Sequence, residues 1–184
     1  KNLVTHDNGN TFRVIYNSIE ERGYSFAHKV LNTKDYGNIP HNRERIFIVA
    51  FDKEATGDAW QNFDFPKKKA LTKTIHDIII QEKVDDSYYY NEDRWFYSEF
   101  LRGMTSRDTI YQWRRKYVRE NKNGCCPTLT ANMGTGGNNV PIILTDHGYR
   151  KLTPAECFEF QGFPVKSGEY VLPNIAQSHL YKQA

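Results

Sequence analysis

From Thr11 to Glu21 the apolar positions Phe12, Ile15 and Ile19 recur at helical spacing, which predicts a helix with one apolar stripe. Gly23 supplies its stop. Tyr24–Leu31 then predicts a strand, and residues 32–40, broken by Gly37 and Pro40, a loop. Arg45–Phe51 (Arg-Ile-Phe-Ile-Val-Ala-Phe) is a continuous, partly β-branched apolar run, the pattern of a strand buried on both faces. Helix, strand, loop and buried strand in that order are what the last third of a doubly wound α/β sheet presents. The pattern breaks over Asp52–Asp64, Phe65–Lys69 is a polar connection, and Leu71–Gln81 predicts a short helix. From Ser87 onward aromatic residues cluster (Tyr88, Tyr89, Tyr90, Trp95, Phe96, Tyr97), which puts a domain boundary near residue 84. Short β-type runs and many turn residues up to about residue 149 predict a small, irregular, β-rich domain. Thr153-Pro154-Ala155-Glu156 is a capping box with proline at the first helical position, and Gly162 and Pro164 close that helix. Ile175–Ala184 begins another. The chain thus divides into units 1–84, 85–149 and 150–184.

Composition sets the class. With 39% hydrophobic, 26% charged and 14% aromatic residues in 184, the chain is globular in composition and long enough for a core. No apolar run approaches the ~18 residues of a membrane span, so a cytoplasmic protein is expected. Cys125 and Cys126 are adjacent, without zinc-ligand spacing, and with Cys157 they are expected to be reduced thiols in the core or in loops. The net charge of +3 says little, but its distribution says more. Arg114, Arg115, Lys116, Arg119 and Lys122 set five cations against Glu120 in nine residues, a stripe suited to phosphate contact or to a solvated face.

Two constellations can carry chemistry. Arg43 and Arg45, two residues apart on extended backbone, point to one side where a strand meets a loop, as ligand-binding or as structural arginines. Gly134, Gly136 and Gly137 allow close backbone approach, but without the spacing or strand-to-helix setting of a dinucleotide turn.

Three segments carry a resemblance. Asp35-Tyr36-Gly37 with Pro40 and Arg43-Glu44-Arg45-Ile46, Pro127-Thr128-Leu129-Thr130 running on to Gly137, and Arg150-Lys151-Leu152-Thr153-Pro154 through Gln161-Gly162-Phe163-Pro164 resemble the second half of bacterial cytosine-5 DNA methyltransferases of restriction–modification systems. The first segment has one residue more between Gly37 and Pro40 than the family's closest form. The resemblance implies the end of a Rossmann-like catalytic sheet, a target-recognition domain over 85–149, and a hinge helix with a return to the catalytic domain over 150–184. It implies that Arg45 bonds O2 of the target cytosine, and that Arg43 helps hold DNA and active site. Thr128 is implied to contact the phosphate beside that cytosine, and Gly134, Gly136 and Gly137 to bring the loop to the bases, with Asn132, Met133 and Asn138 in it. Tyr111–Arg119 resembles the approach to the recognition domain, where Arg114, Arg115 and Arg119 would meet bases or phosphates; Trp113 and Tyr117 are expected in the core.

The resemblance also implies duplex DNA as partner and S-adenosylmethionine as cofactor. Lys1-Asn2-Leu3 lies just after the position of the family's catalytic glutamate, and the chain ends before its closing Gly-Asn-Ser-Val. The cofactor site and nucleophilic cysteine would therefore belong to an N-terminal half, covalent or separate, and this chain alone is expected to be inactive. A split-enzyme specificity subunit and a non-catalytic DNA-binding module are the alternatives; an RNA-methylating relative fits the DNA-type segment Thr128–Gly137 poorly.

Overall fold

The computed structural model describes residues 2–133 and 137–184. A short helix α1 (Asn2–Thr5) and a 3-10 turn lead into α2 (Asn10–Glu20), the helix predicted from the apolar spacing. Its stripe lies on β1 (Tyr24–Asn32): Phe12 and Tyr16 meet the Phe26 ring edge-on, with centroids 5.7 and 5.1 Å away. Gly23, at φ +81°, makes the turn between them. The expected loop after β1 contains one helical turn, α3 (Thr33–Tyr36), because the Asn32 side chain caps it by accepting from the Lys34 amide.

After β2 (His41–Asn42), β3 (Glu44–Asp52) pairs antiparallel with β1 along its whole length, from Tyr24 opposite Asp52 to Asn32 opposite Glu44. The strand is where it was predicted, but burial on both faces is not observed. None of its residues is fully buried, and Phe47 and Ile48 are 49% and 36% exposed. The reason is topological: β1 and β3 form a two-stranded ribbon, so β3 has no second strand neighbour among the described residues.

α4 (Lys53–Thr56) follows, capped by Asp52. The helix expected over Leu71–Gln81 is replaced by a single 3-10 turn at Ile75–Asp77. Here tertiary contacts override local pattern. Thr74 and Asp77 close a capping box, and the Ile80 amide that a continuing helix would use donates instead to the Glu156 carboxylate, at 2.8 Å. Ile75, Ile78 and Ile79 are thereby buried in a core running through Ile110, Leu129, Ile143, Leu152 and Phe160 to Tyr181.

A second core gathers α5 (Tyr97–Gly103) against a four-stranded antiparallel sheet. That sheet contains β4 (Tyr111–Trp113), β5 (Val118–Glu120), β7 (Pro141–Thr145) and β8 (Gly148–Lys151) in the order β5-β4-β7-β8. Between β5 and β7, β6 (Cys126–Pro127) pairs in parallel with β2, tying the first ribbon to the rest of the chain. The predicted capping box opens α6 (Pro154–Gln161), Gly162 at φ +96° closes it, and α7 (Gln177–Gln183) is the last element. All three cysteines are free and buried, as expected. No described helix is long and apolar enough to cross a membrane.

The joint at α6 is ionic. Arg150 and Glu156, both 0% exposed, pair through both carboxylate oxygens at 2.7 and 2.8 Å. The guanidinium also donates to the Lys151 and Ile80 carbonyls, and the carboxylate accepts from the Ile80 and Thr153 amides.

Candidate nucleic-acid interface

The segment Pro40–Arg45 is fixed before it presents any side chain. Asn32 anchors it by accepting from the Arg43 amide at 3.2 Å, while its own amide group donates to Asn42 Oδ1 at 2.7 Å. On the other side, Thr128 Oγ1 donates to the Asn42 carbonyl (2.8 Å) and His41 Nε2 accepts from the Leu129 amide (3.4 Å). The stretch 41–45, which carries Arg43 and Arg45, and the segment 127–130 are therefore one bonded unit. With the hydroxyl proton of Thr128 committed to Asn42, it is the oxygen lone pairs that remain free.

Arg43 and Arg45 lie on one side, as alternation requires, and both line a cavity of about 490 Å³ together with Tyr36, Gly37, Phe47 and Gly162. Arg45 is exposed and donates to the Glu44 carbonyl, and Arg43 is half-buried. Burial and then the neighbouring Arg45 charge hold the Arg43 pKa below its usual value. Neither guanidinium has a carboxylate partner among the described residues. The cavity is thus electropositive, and an acceptor oxygen placed in it meets two uncompensated cations.

His41 is one residue that the sequence reasoning passed over. Its ring is fully buried against Phe160, and Nδ1 has no hydrogen-bond partner. Its pKa is pushed down to about 4, chiefly by burial and further by Arg43 and Arg45, against an opposing pull from the Phe160 and Pro127 backbone. The neutral ring is what lets Nε2 accept from Leu129. The unfolded chain therefore binds this proton before the folded one does. Stability is complete above the ordinary histidine value of 6.5 and is lost as pH falls from there toward about 4. The loss attributable to His41 should approach ~3 kcal/mol at the bottom of that window. Urea unfolding of wild type and His41→Gln across pH 7 to 4 checks it: their stability difference should move against wild type as pH falls, and a constant difference refutes the assignment.

The hairpin β4–β5 sorts its side chains by face. Tyr111, Trp113 and Val118 pack into the second core. Gln112 and Arg114, two residues apart, and Arg119, directly opposite Gln112, occupy the other face. Arg114–Tyr117 is the turn, with the Arg114 amide donating to the Tyr117 carbonyl, and Arg115 sits exposed at its tip with φ +68°. Trp113 is buried as expected. Tyr117 is not: it is 56% exposed, because the tight turn carries it off the end of the hairpin.

Arg114, Arg119 and Thr128 line one recess of about 270 Å³ with Asn42, Asn121 and Asn123. Arg115 is absent from its lining. Gly134 and Gly136 lie outside the described residues. Gly137 has φ +131°, a backbone conformation that L side chains rarely adopt, so this position favours glycine. Of the site residues missed from sequence, Asn42, Gln112, Asn121 and Asn123 have no signature beyond being amides near the motifs.

Among the described residues no group of His, Cys, Asp and Glu is placed to hold a metal ion. Two arginines lining one cavity, Arg43 half-buried and Arg45 exposed, are joined through β2 and β6 to a hairpin with cations on its outer face, an arrangement suited to an anionic ligand. Comparison with known proteins makes this specific. The family model for C-5 cytosine-specific DNA methylase matches residues 1–184, and the chain belongs to that family. It is 59% identical to the Type II methyltransferase M.Bsp6I of Bacillus sp. (strain RFL6), over 100% of this chain and 57% of that protein. It is 33% identical to the Type II methyltransferase M.HhaI of Haemophilus parahaemolyticus, over 100% of this chain and 55% of that one. The chain therefore spans little more than half the length of these relatives. In fold it is a mixed α/β protein similar to the Dnmt2 methyltransferase of S. pombe, with TM-score 0.59 and 17% identity over 96% of this chain and 56% of that one. The Entamoeba histolytica methyltransferase EhMeth gives the same TM-score and identity over 94% and 52%.

Proposed function

We propose that this chain is the part of a cytoplasmic DNA (cytosine-5-)-methyltransferase that holds the target cytosine and reads duplex DNA. In this reading residues 1–84 complete a Rossmann-like catalytic sheet, 85–149 form the target-recognition domain, and 150–184 hinge the two. An N-terminal half brings the nucleophilic cysteine and most of the S-adenosylmethionine site. The observation that carries the reading is the electropositive cavity with Arg43 and Arg45, bonded through His41 and Asn42 to the Thr128–Leu129 segment.

The chemistry assigned to this chain is electrostatic. The complete enzyme flips the target cytosine out of the duplex. When a thiolate adds to carbon 6, electron density moves onto the ring, and the Arg45 guanidinium at O2 stabilises it as it develops. Arg43 supports Arg45 and holds the DNA beside it. S-adenosylmethionine supplies the methyl group for carbon 5. Neither cavity described above suits a cationic sulfonium, since both are lined by arginines without a carboxylate, and no residue of this chain is assigned to it.

The test is product analysis. The full-length enzyme carrying this sequence, incubated with mixed-sequence duplex DNA and methyl-labelled S-adenosylmethionine, should yield labelled 5-methylcytosine on digestion to nucleosides. DNA binding without product would reduce the protein to a binding module, and label in RNA alone would make it an RNA enzyme.

A further inference from the structure

We infer that the recess between the β4–β5 hairpin and the Asn42–Thr128 junction is a seat for one phosphodiester group of the DNA strand, held by Arg114 and Arg119. The inference rests on the DNA-binding reading above and separates the arginines that such a reading leaves equivalent.

The hydrogen-bond assignments around the recess leave mostly donors over. Asn32 Oδ1 accepts from two backbone amides, so its nitrogen is the donor to Asn42 Oδ1, and the Asn42 NH2 group remains without a partner. Asn123 Oδ1 accepts from the Cys125 amide, which leaves the Asn123 NH2 group free as well. Asn121 spends both ends internally: its nitrogen donates to the Ile110 carbonyl, and its oxygen orients Arg119 at 3.1 Å. Gln112 donates to the Asn139 carbonyl, which leaves its Oε1 as an acceptor beside the lone pairs of Thr128 Oγ1. Arg114 makes a single long contact, 3.4 Å to the Asn138 carbonyl, and keeps its remaining N–H groups. Among the described residues no carboxylate pairs with Arg114 or Arg119 and none lines the recess. Two cations and two amide donors around one small concavity match the oxygens of an oxyanion.

Shape decides between backbone and base. Base edges lie at the floor of a groove some ~8.5 Å deep, so a side chain that reads them must project from the protein. Phosphates are the outermost groups of the duplex and can enter a concavity. Arg114 and Arg119 face into one, on the same side of the hairpin as buried Gln112. Arg115, at the exposed turn and outside the recess, is the arginine placed to project.

The experiment measures DNA affinity of the full-length enzyme on a duplex that it methylates, as a function of salt. The double variant Arg114→Gln/Arg119→Gln should lower the slope of log affinity against log salt by ~0.9, the value for one phosphate contact, equally on cognate and scrambled duplexes. Its affinity deficit should therefore shrink about 3.5-fold between 50 and 200 mM salt. A scan of single methylphosphonates should find one position that reproduces the loss in wild type and adds nothing in the double variant, as coupled groups require. The wild-type arm of the scan needs no altered protein, so a folding defect in the variant cannot hide which phosphates the enzyme contacts. An unchanged slope, additive effects at every methylphosphonate, or discrimination relaxed at one base pair without a change in slope would overturn the inference. Failure of the wild type to bind DNA at low salt would instead strike at the proposed function itself.

Discussion

Replacing Arg45 by alanine in the full-length enzyme should slow single-turnover methyl transfer by roughly 10²–10³, the scale for removing one donor aimed at developing charge. DNA affinity should change far less, because Arg45 is assigned to the cytosine ring rather than to the phosphates. The geometry behind this expectation is specific. Arg45 reaches the cavity from the second residue of β3, anchored by its contact with the Glu44 carbonyl, and no described carboxylate neutralises it. A cation already positioned and uncompensated costs little reorganisation when charge appears on the ring. Arg45→Lys should recover part of the rate, since it returns the charge without the planar fork. Quench-flow with the variant and an excess of enzyme over DNA measures the step directly. A rate within a few-fold of wild type would show that Arg45 does not act at O2.

Much of the fold was legible in local pattern, and the reasons for the exceptions are physical. The helices at Asn10–Glu20 and Pro154–Gln161 and the strands Tyr24–Asn32 and Glu44–Asp52 carry periodicity, caps or β-branched runs that need no distant partner. The stretch Leu71–Gln81 misleads because the decisive contact, Ile80 to Glu156, spans 76 positions. The apolar run of β3 reads as doubly buried because composition reports what a strand can bury, and not how many neighbours it has. The site shows the same division. Arg43, Arg45 and Thr128 stand inside motifs, but the recess draws Asn42, Gln112, Arg119 and Asn123 from separate stretches, and no local spacing announces that. The one signal available was alternation along Tyr111–Arg119, which separates Tyr111 and Trp113 from Gln112 and Arg114 once the segment is recognised as a hairpin.

Breaking the Arg150–Glu156 pair should have the largest effect on stability. Removing one partner of a buried ion pair costs about 3–5 kcal/mol, because the other charge is left without compensation. That is a large share of the 5–15 kcal/mol that typically holds a domain together. Glu156→Ala should be at the upper end. The carboxylate serves Arg150 and also the part-buried Ile80 and buried Thr153 amides, and a buried amide left unpaired costs a further ~1–3 kcal/mol. The same bonds distinguish this pair from one that apolar residues can replace. An ordinary buried pair exchanged for hydrophobic residues of similar volume is often no less stable. Here Arg150→Met/Glu156→Leu should stay clearly destabilised, since the Ile80 and Thr153 amides lose their acceptor whatever fills the space. Glu156→Gln retains an acceptor oxygen and should lose less than Glu156→Ala. Urea unfolding at neutral pH ranks the three variants, compared at equal m-value so that the differences report stability rather than a change in the unfolded chain. A double variant as stable as wild type would mean that the amides find other partners, and that the pair is not what joins α6 to the Ile75–Ile80 segment.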